Sequence, residues 1–185
     1  MELVFNSQPI LETSELQLLP LQIEDFEALY KVASDPEIWK QHPNKDRWKK
    51  EVFAVFFDGA IKSGGAFKIV EKESQKIIGS TRFYDFDPKE SLVLIGYTFY
   101  AVSHWGTGAN HSIKELMFTH AFKYVSQIQL HIGAENIRSQ MAIERLGAQK
   151  IGSQEVAYYG EPSKLNYVYQ VTKNAWENST KLKNK

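Results

Sequence analysis

The strongest constraint on this chain is the order of periodicities between residues 91 and 134. "SLVLIGYTFY" (residues 91–100) is a strand-type run of branched and aromatic residues. A helical pattern follows, with Ile113, Leu116, Met117, His120, Ala121 and Tyr124 on one side, and "IQLHIGA" (residues 128–134) is again strand-like. Two strands joined through one helix must lie parallel or nearly so. Upstream, "AFKIVEK" and "KIIGSTRFYDF" precede the first of these strands with only turn signals between, at Lys72 to Lys76 and Asp87-Pro88, which predicts an antiparallel meander. The chain therefore requires a mixed α/β (α+β) fold around a mostly antiparallel sheet that contains one parallel pair.

The flanks complete the order. "LQLLPL" predicts a strand. Asp25, Phe26, Ala28, Leu29, Val32 and Ala33 predict a helix ended by Asp35-Pro36, and "WKKEVFAVFFDGAIKSG" a second helix with Val52, Val55, Phe56 and Ala60 on its apolar face. After the parallel pair come helix "RSQMAIERL", a stop at Gly147 and a final hairpin of "SQEVAYY" and "LNYVYQV" turning near Gly160 and Pro162. The predicted order is β, α, α, β, β, β, α, β, α, β, β. No linker, repeat or charge block divides residues 1–185, so one domain is expected, with "ENSTKLKNK" (residues 177–185) as a polar, frayed tail.

Composition removes several classes of function. Lys plus Arg and Asp plus Glu are 22 each, so nothing favours nucleic acid or an acidic membrane overall. There is no cysteine, which excludes disulfides, thiolate metal sites and a cysteine acyl-enzyme. His111 and His120 share a helix at a spacing unsuited to a metal pair, and no metal is expected. No basic-then-apolar leader and no run of 18 apolar residues occurs; a soluble cytoplasmic protein is the expectation.

The loop "WGTGAN" (residues 105–110) carries the chemistry. A strand that runs into Gly106 and Gly108 and then a helix start presents unpaired N–H groups at the positive end of a helix dipole, which suits a phosphate. A tight connection relieved by two glycines is the plain alternative. A P-loop would need Gly-Lys-Ser/Thr at the helix start, whereas Ala109 and Asn110 follow Gly108. A dinucleotide fingerprint would need a third glycine where His111 stands.

This frame, together with "DPEIW", "IIGSTRFYDF", "IGYTF" and "AENIRSQMAIERLGAQKIG" in that order, resembles the Gcn5-related N-acetyltransferases, in the branch similar to ribosomal-protein N-terminal acetyltransferases. The likeness spans about residues 16–171. Trp105 and Asn110 depart from the family's Gln/Arg-x-x-Gly-x-Gly/Ala signature in the manner of a "WGTGxN" subgroup. The resemblance implies acetyl-CoA as acetyl donor, with its pyrophosphate at Trp105, Gly106, Thr107, Gly108, Ala109 and Asn110 and its pantetheine arm along Thr98, Phe99 and Tyr100 between splayed strands.

The same frame assigns Asn136 to the cofactor and puts Ser139 near its sulfur; N-capping alone would also explain Asn136. Direct transfer to an amine, either a peptide N-terminus or a small molecule, then makes Ser139 the candidate proton donor to the leaving thiolate. Relatives often carry Glu where this chain has Leu94, so the general base is unassigned; His131 on the following strand reads as structural. Trp39, Trp48, Arg82 and Tyr84 are the candidate acceptor-pocket residues, solvated-surface roles being open for the last two. A non-catalytic acyl-CoA-binding module and a structural domain whose loop binds nothing are the competing readings, and the oligomeric expectation is monomer or homodimer.

Overall fold

The computed structural model describes residues 4–183, with side chains described as far as Ser179. Eight strands form one sheet: β1 (Leu11–Glu12), β2 (Leu16–Pro20), β3 (Ala66–Glu71), β4 (Ile77–Asp87), β5 (Leu92–Tyr100), β6 (Gln127–Gly133), β7 (Gln149–Val156) and β8 (Lys164–Thr172). The helices are α1 (Phe26–Ala33), α2 (Lys50–Lys62), α3 (Ala109–Ala121), α4 (Ile137–Glu144) and α5 (Lys173–Lys183). Sheet order is β1-β2-β3-β4-β5-β6-β8-β7, antiparallel throughout except for β5 with β6. The parallel pair is the one that the α3 crossover demands.

Two apolar clusters fix the layers. On one face α3 buries Ile113, Met117, Phe118 and Ala121 against Phe83, Ile95, Ile128 and Leu130. On the other, α1 and α2 bury Leu29, Phe53, Phe56, Phe57 and Ala60 with Phe99 and Ala66. The apolar face of α2 is thus set by Phe53, Phe56, Phe57 and Ala60, a spacing of three, four and seven residues, while Val55 is 41% exposed. The larger aromatic side chains remove more surface from water and decide which way the helix turns.

Three elements depart from the sequence expectation. β1 is two residues long and β7 begins at Gln149, four residues before the expected start. All but the last residue of β7 are exposed, so it shows no alternation of apolar and polar residues. Residues 177–183 of the tail expected to fray belong instead to α5, and 184–185 lie outside the described residues; Trp176 of this helix is buried against Phe118 (5.3 Å between ring centroids) and Phe122 (6.5 Å). Among the described side chains of α5, Trp176 is the aromatic anchor that docks the helix. Trp176→Ala should therefore cost roughly 3–5 kcal/mol, the range for emptying a large aromatic site, read as a lowered urea midpoint with unchanged slope.

Candidate active site

β5 and β6 pair over only three positions, Leu92↔Gln127, Val93↔Ile128 and Leu94↔Gln129, and then part. β5 is pulled away by its other neighbour. Gly96 pairs with Arg82 and Phe99 with Ser80, so Tyr97 and Thr98 together oppose Thr81, and Tyr97 takes the left-handed conformation (φ 54°). Such a bulge bends the strand that carries it. The gap between the diverging strands forms a cavity of about 480 Å³ that runs from the glycine loop to the β7–β8 loop.

At one end lies the glycine loop. Gly106 (φ 74°) and Gly108 (φ 92°) hold the turn into α3 in a region that L side chains rarely adopt, and a Cβ built on either would meet open space beyond the adjoining backbone. Both glycines line the cavity with Trp105 and Asn110. The turn is held from within by the Thr107 hydroxyl, which donates to His104 O (2.9 Å) and accepts from Ala109 N. Thr107 and Ala109 support the loop and do not line the cavity. The first N–H groups of α3 have no partner inside the helix and face this end. Across the gap the Arg138 guanidinium lies 3.6 Å from the Trp105 ring centroid and donates to Ile38 O (3.3 Å).

In the middle, Thr98, Phe99 and Tyr100 line the cavity from β5, and Asn136 and Ser139 from the start of α4. Asn136 Oδ1 accepts from Ser139 N (3.2 Å), the N-cap geometry expected of this residue type. The Ser139 hydroxyl makes no hydrogen bond among the described residues. His131 faces the cavity from β6, two residues beyond the last paired position, with its Nε2 3.0 Å from Gln154 Nε2. Burial lowers its pKa, and the Asp85 carboxylate partly offsets this.

The far end is aromatic. Tyr97 and Tyr158 meet edge to face (5.1 Å), and the Tyr158 hydroxyl donates to the buried Asn166 Oδ1 (3.1 Å). Behind them Arg47, 2% exposed, makes a bidentate pair with Glu161 (2.6 and 2.9 Å) and stands 3.1 Å from His42 Nε2. Burial, and then the Arg47 charge, hold His42 well below its ordinary pKa, so it is neutral. Segment 38–47 thereby crosses the gap. Besides the Arg47–Glu161 and Ile38–Arg138 links, Gln41 Oε1 accepts from Arg138 N (3.1 Å), and Pro43 packs against Gly133, where a Cβ would come within 2.3 Å of it.

The structure separates the four sequence candidates for the pocket. Trp39 borders the cavity from behind Phe99 (5.1 Å), buried, with Nε1 donating to Ala33 O. Trp48 lies outside the lining and is 38% exposed. Arg82 and Tyr84 are set behind Tyr97, the Arg82 guanidinium 3.9 Å from its ring and the Tyr84 ring at 5.1 Å, because they belong to the neighbouring strand. The reading from sequence missed Lys114, Arg47, His42, Tyr158 and Arg138. Lys114 was hidden by being a cation on the buried side of α3, where its Nζ donates to Thr98 Oγ1 (2.7 Å) and Thr81 Oγ1 (3.1 Å). Among the described residues no Asp or Glu lines the cavity, and Leu94, next in the chain to the lining residue Ile95, is buried. Among the described residues no cluster of His, Cys, Asp or Glu could hold a metal, and no helix is long and apolar enough to cross a membrane.

A sheet opened by a bulge at one strand, beside a glycine turn that starts a helix, is the frame that comparison tests. The model of the GNAT acetyltransferase domain matches residues 15–149. This chain belongs to the GNAT acetyltransferase family. Among its relatives is the uncharacterized N-acetyltransferase p20 of Bacillus licheniformis, 27% identical over 149 residues that cover 77% of this chain and 83% of that protein. Among solved structures, a GCN5-related N-acetyltransferase from Brucella melitensis superimposes with a TM-score of 0.80 at 19% identity, covering 94% of this chain and 83% of the other. Mycobacterium smegmatis RimJ in complex with CoA-disulfide does so with a TM-score of 0.66 at 15% identity, covering 90% and 87%. The mixed sheet with one parallel pair is thus the GNAT fold, and membership makes the chain an acyltransferase.

Lys114 makes the site's electrostatics measurable. Burial brings its pKa down to about 7 from 10.5. Between those values the unfolded chain binds more protons than the folded one, so the penalty is complete below pH 7 and is relieved as pH rises toward 10.5. Lys114→Met should be more stable than the parent by about 2–4 kcal/mol at pH 6, an advantage that shrinks steadily by pH 9 in urea unfolding.

Proposed function

We propose that the protein transfers an acetyl group from acetyl-CoA directly to an amine, a peptide N-terminus or a small molecule. The observation that carries this reading is the continuous cavity between β5 and β6, with an anion-suited helix start at one end and an aromatic chamber at the other. The residues fit such a donor. The positive-φ glycines bring backbone N–H groups to the surface, and Arg138 adds a cation at the same end. RimJ, which shares this fold, was solved in complex with CoA-disulfide, which supports a CoA-type donor for this chain. Bound acetyl-CoA would supply a thioester, whose acyl carbon is open to attack by an amine.

The chain's own groups then divide the work. Trp105, Gly106, Gly108 and Asn110 hold the phosphate end, with Thr107 and Ala109 keeping the turn in shape. Thr98, Phe99 and Tyr100 offer the unpaired edge of β5 to the pantetheine arm, and Asn136 borders it from α4. Ser139, whose hydroxyl is unclaimed, donates a proton to the departing thiolate. His131 accepts a proton from the amine, directly or through water, in place of the carboxylate that Leu94 excludes. His42 is unsuited because the Arg47 cation beside its Nε2 opposes its taking a proton, whereas the neighbour of His131 Nε2 is the neutral Gln154 amide. Lys114 steadies the bulge through Thr98.

Two measurements test this. Acetyl-CoA and CoA at 100 times their dissociation constants should each stabilise the protein by about 2.7 kcal/mol, with ATP doing much less. Gly108→Asp should abolish that shift in a folded protein; an undiminished shift would remove the loop from the site.

With thiol release as readout, Ser139→Ala should lower kcat on the order of 10²-fold with little change in acetyl-CoA affinity. His131 is neutral above a pKa that lies below 6.5, so it should set an acidic limb of kcat/KM there, and His131→Gln should remove that limb. Normal turnover in Ser139→Ala with reduced stability would make Ser139 a helix-start residue only.

A further inference from the structure

The acceptor end holds more buried positive charge than it holds compensation for. Arg47 and Arg82 are 2% and 4% exposed, and their guanidiniums both lie against the Phe56 ring, at 4.6 and 5.7 Å. One carboxylate, Glu161, serves the pair, and Arg47 takes both of its oxygens. Among the described residues the Arg82 side chain makes one hydrogen bond, to Gly59 O (3.2 Å), and its Nε is buried without a partner. Tyr97 covers it at 3.9 Å, and the groups that face it are the Tyr97 and Tyr84 phenols, Arg47 and Glu161.

A buried guanidinium with an unmet donor is costly, and a negative charge held nearby lowers that cost even across an intervening ring. The wall between Arg82 and the cavity is one aromatic ring thick. On the cavity side stand Arg47, His42, His131, Tyr97, Tyr158 and Asn166, with no carboxylate among them. A polyamine or a basic peptide would add cations beside Arg47 and Arg82, and the carboxylate that acts on His131 and Tyr97, Asp85, stands outside the lining. An anionic group would be drawn to these cations.

We propose that the acceptor is a small amine that also bears a carboxylate, held with its carboxylate toward the Arg47–Arg82 side and its amine toward His131. The proposal deepens the acetyl-transfer reading and rests on it for which end of the molecule reacts. Segment 38–47 bounds this chamber through its links to Arg138, Gly133 and Glu161, which favours a compact acceptor over an extended chain.

The test uses protein saturated with CoA and measures binding by calorimetry for a panel of L-amino acids, each beside its own carboxamide, with spermidine as the polycation. At least one amino acid should bind on the order of tenfold tighter than its carboxamide, and spermidine should not bind. In Arg82→Gln that ratio should fall to near one, while Arg82→Lys, which keeps the charge, should retain most of it. Should Arg82→Gln fail to fold, the wild-type ratio and the Arg82→Lys ratio still decide. Equal or tighter binding of the carboxamides or of spermidine, or no binding by any amino acid, overturns the proposal. Thiol release from acetyl-CoA with the same amines is scored separately: carboxylate-dependent binding without thiol release would overturn acetyl transfer and leave the acceptor-site charge preference standing.

Discussion

The early end of pairing between β5 and β6 is the constraint on which the rest of the molecule depends. A central strand that abandons its neighbour after three residues exposes backbone groups deep in the fold, and such groups need other partners. Part of the demand is met by protein. Trp105 Nε1 donates to Tyr100 O, and the Thr98 hydroxyl, itself held by Lys114, donates to Gly96 O at the bulge. The remainder of the β5 edge faces a cavity, which makes a ligand that can pair with extended backbone the natural occupant.

Closing the sheet's opening without filling it falls to segment 38–47. Its anchors are chemically unlike one another: a buried ion pair, two bonds with Arg138, and van der Waals contact of Pro43 with Gly133. The Arg47–Glu161 pair is poor evidence of added stability, since both charges lose their hydration. Its effect is to specify geometry. It sets the distance between the start of α2 and the β7–β8 loop, and Tyr159 repeats the link through Asp58 (2.9 Å) and by packing on Gly59.

The parallel pair, the meander and the glycine turn were legible in the sequence because each leaves a local mark: a change of period, a turn dipeptide, a pair of glycines before a helix. The residues meeting at the cavity's far end leave none. Arg47 and His42 come from one segment and Tyr158 and Glu161 from another far along the chain, and nothing local distinguishes a cation that will be buried from one that will be solvated. Lys114 breaks the apolar face of α3 and so reads as a surface residue. Strand phase misled in the same way. Arg82 and Tyr84 lie on the strand beside Tyr97, and only the bulge decides that Tyr97 stands between them and the cavity. The first four residues of β7 were missed because the strand is exposed along nearly its whole length and shows no alternation to mark its start.

That exposure has a further meaning. An open eight-stranded sheet ends in two rows of unpaired backbone groups, and either could recruit a strand from another molecule. One edge, β1, is only two residues long. The other is protected by its composition: Gln149, Lys150, Ser153, Gln154 and Glu155 offer no apolar strip for a neighbour to cover, and the pairing with β8 slips between Lys150 and Gly152 so that Ile151 has no opposite residue. The strand hardest to recognise by its pattern is thus the one that guards this protein against joining its sheet to that of a second copy.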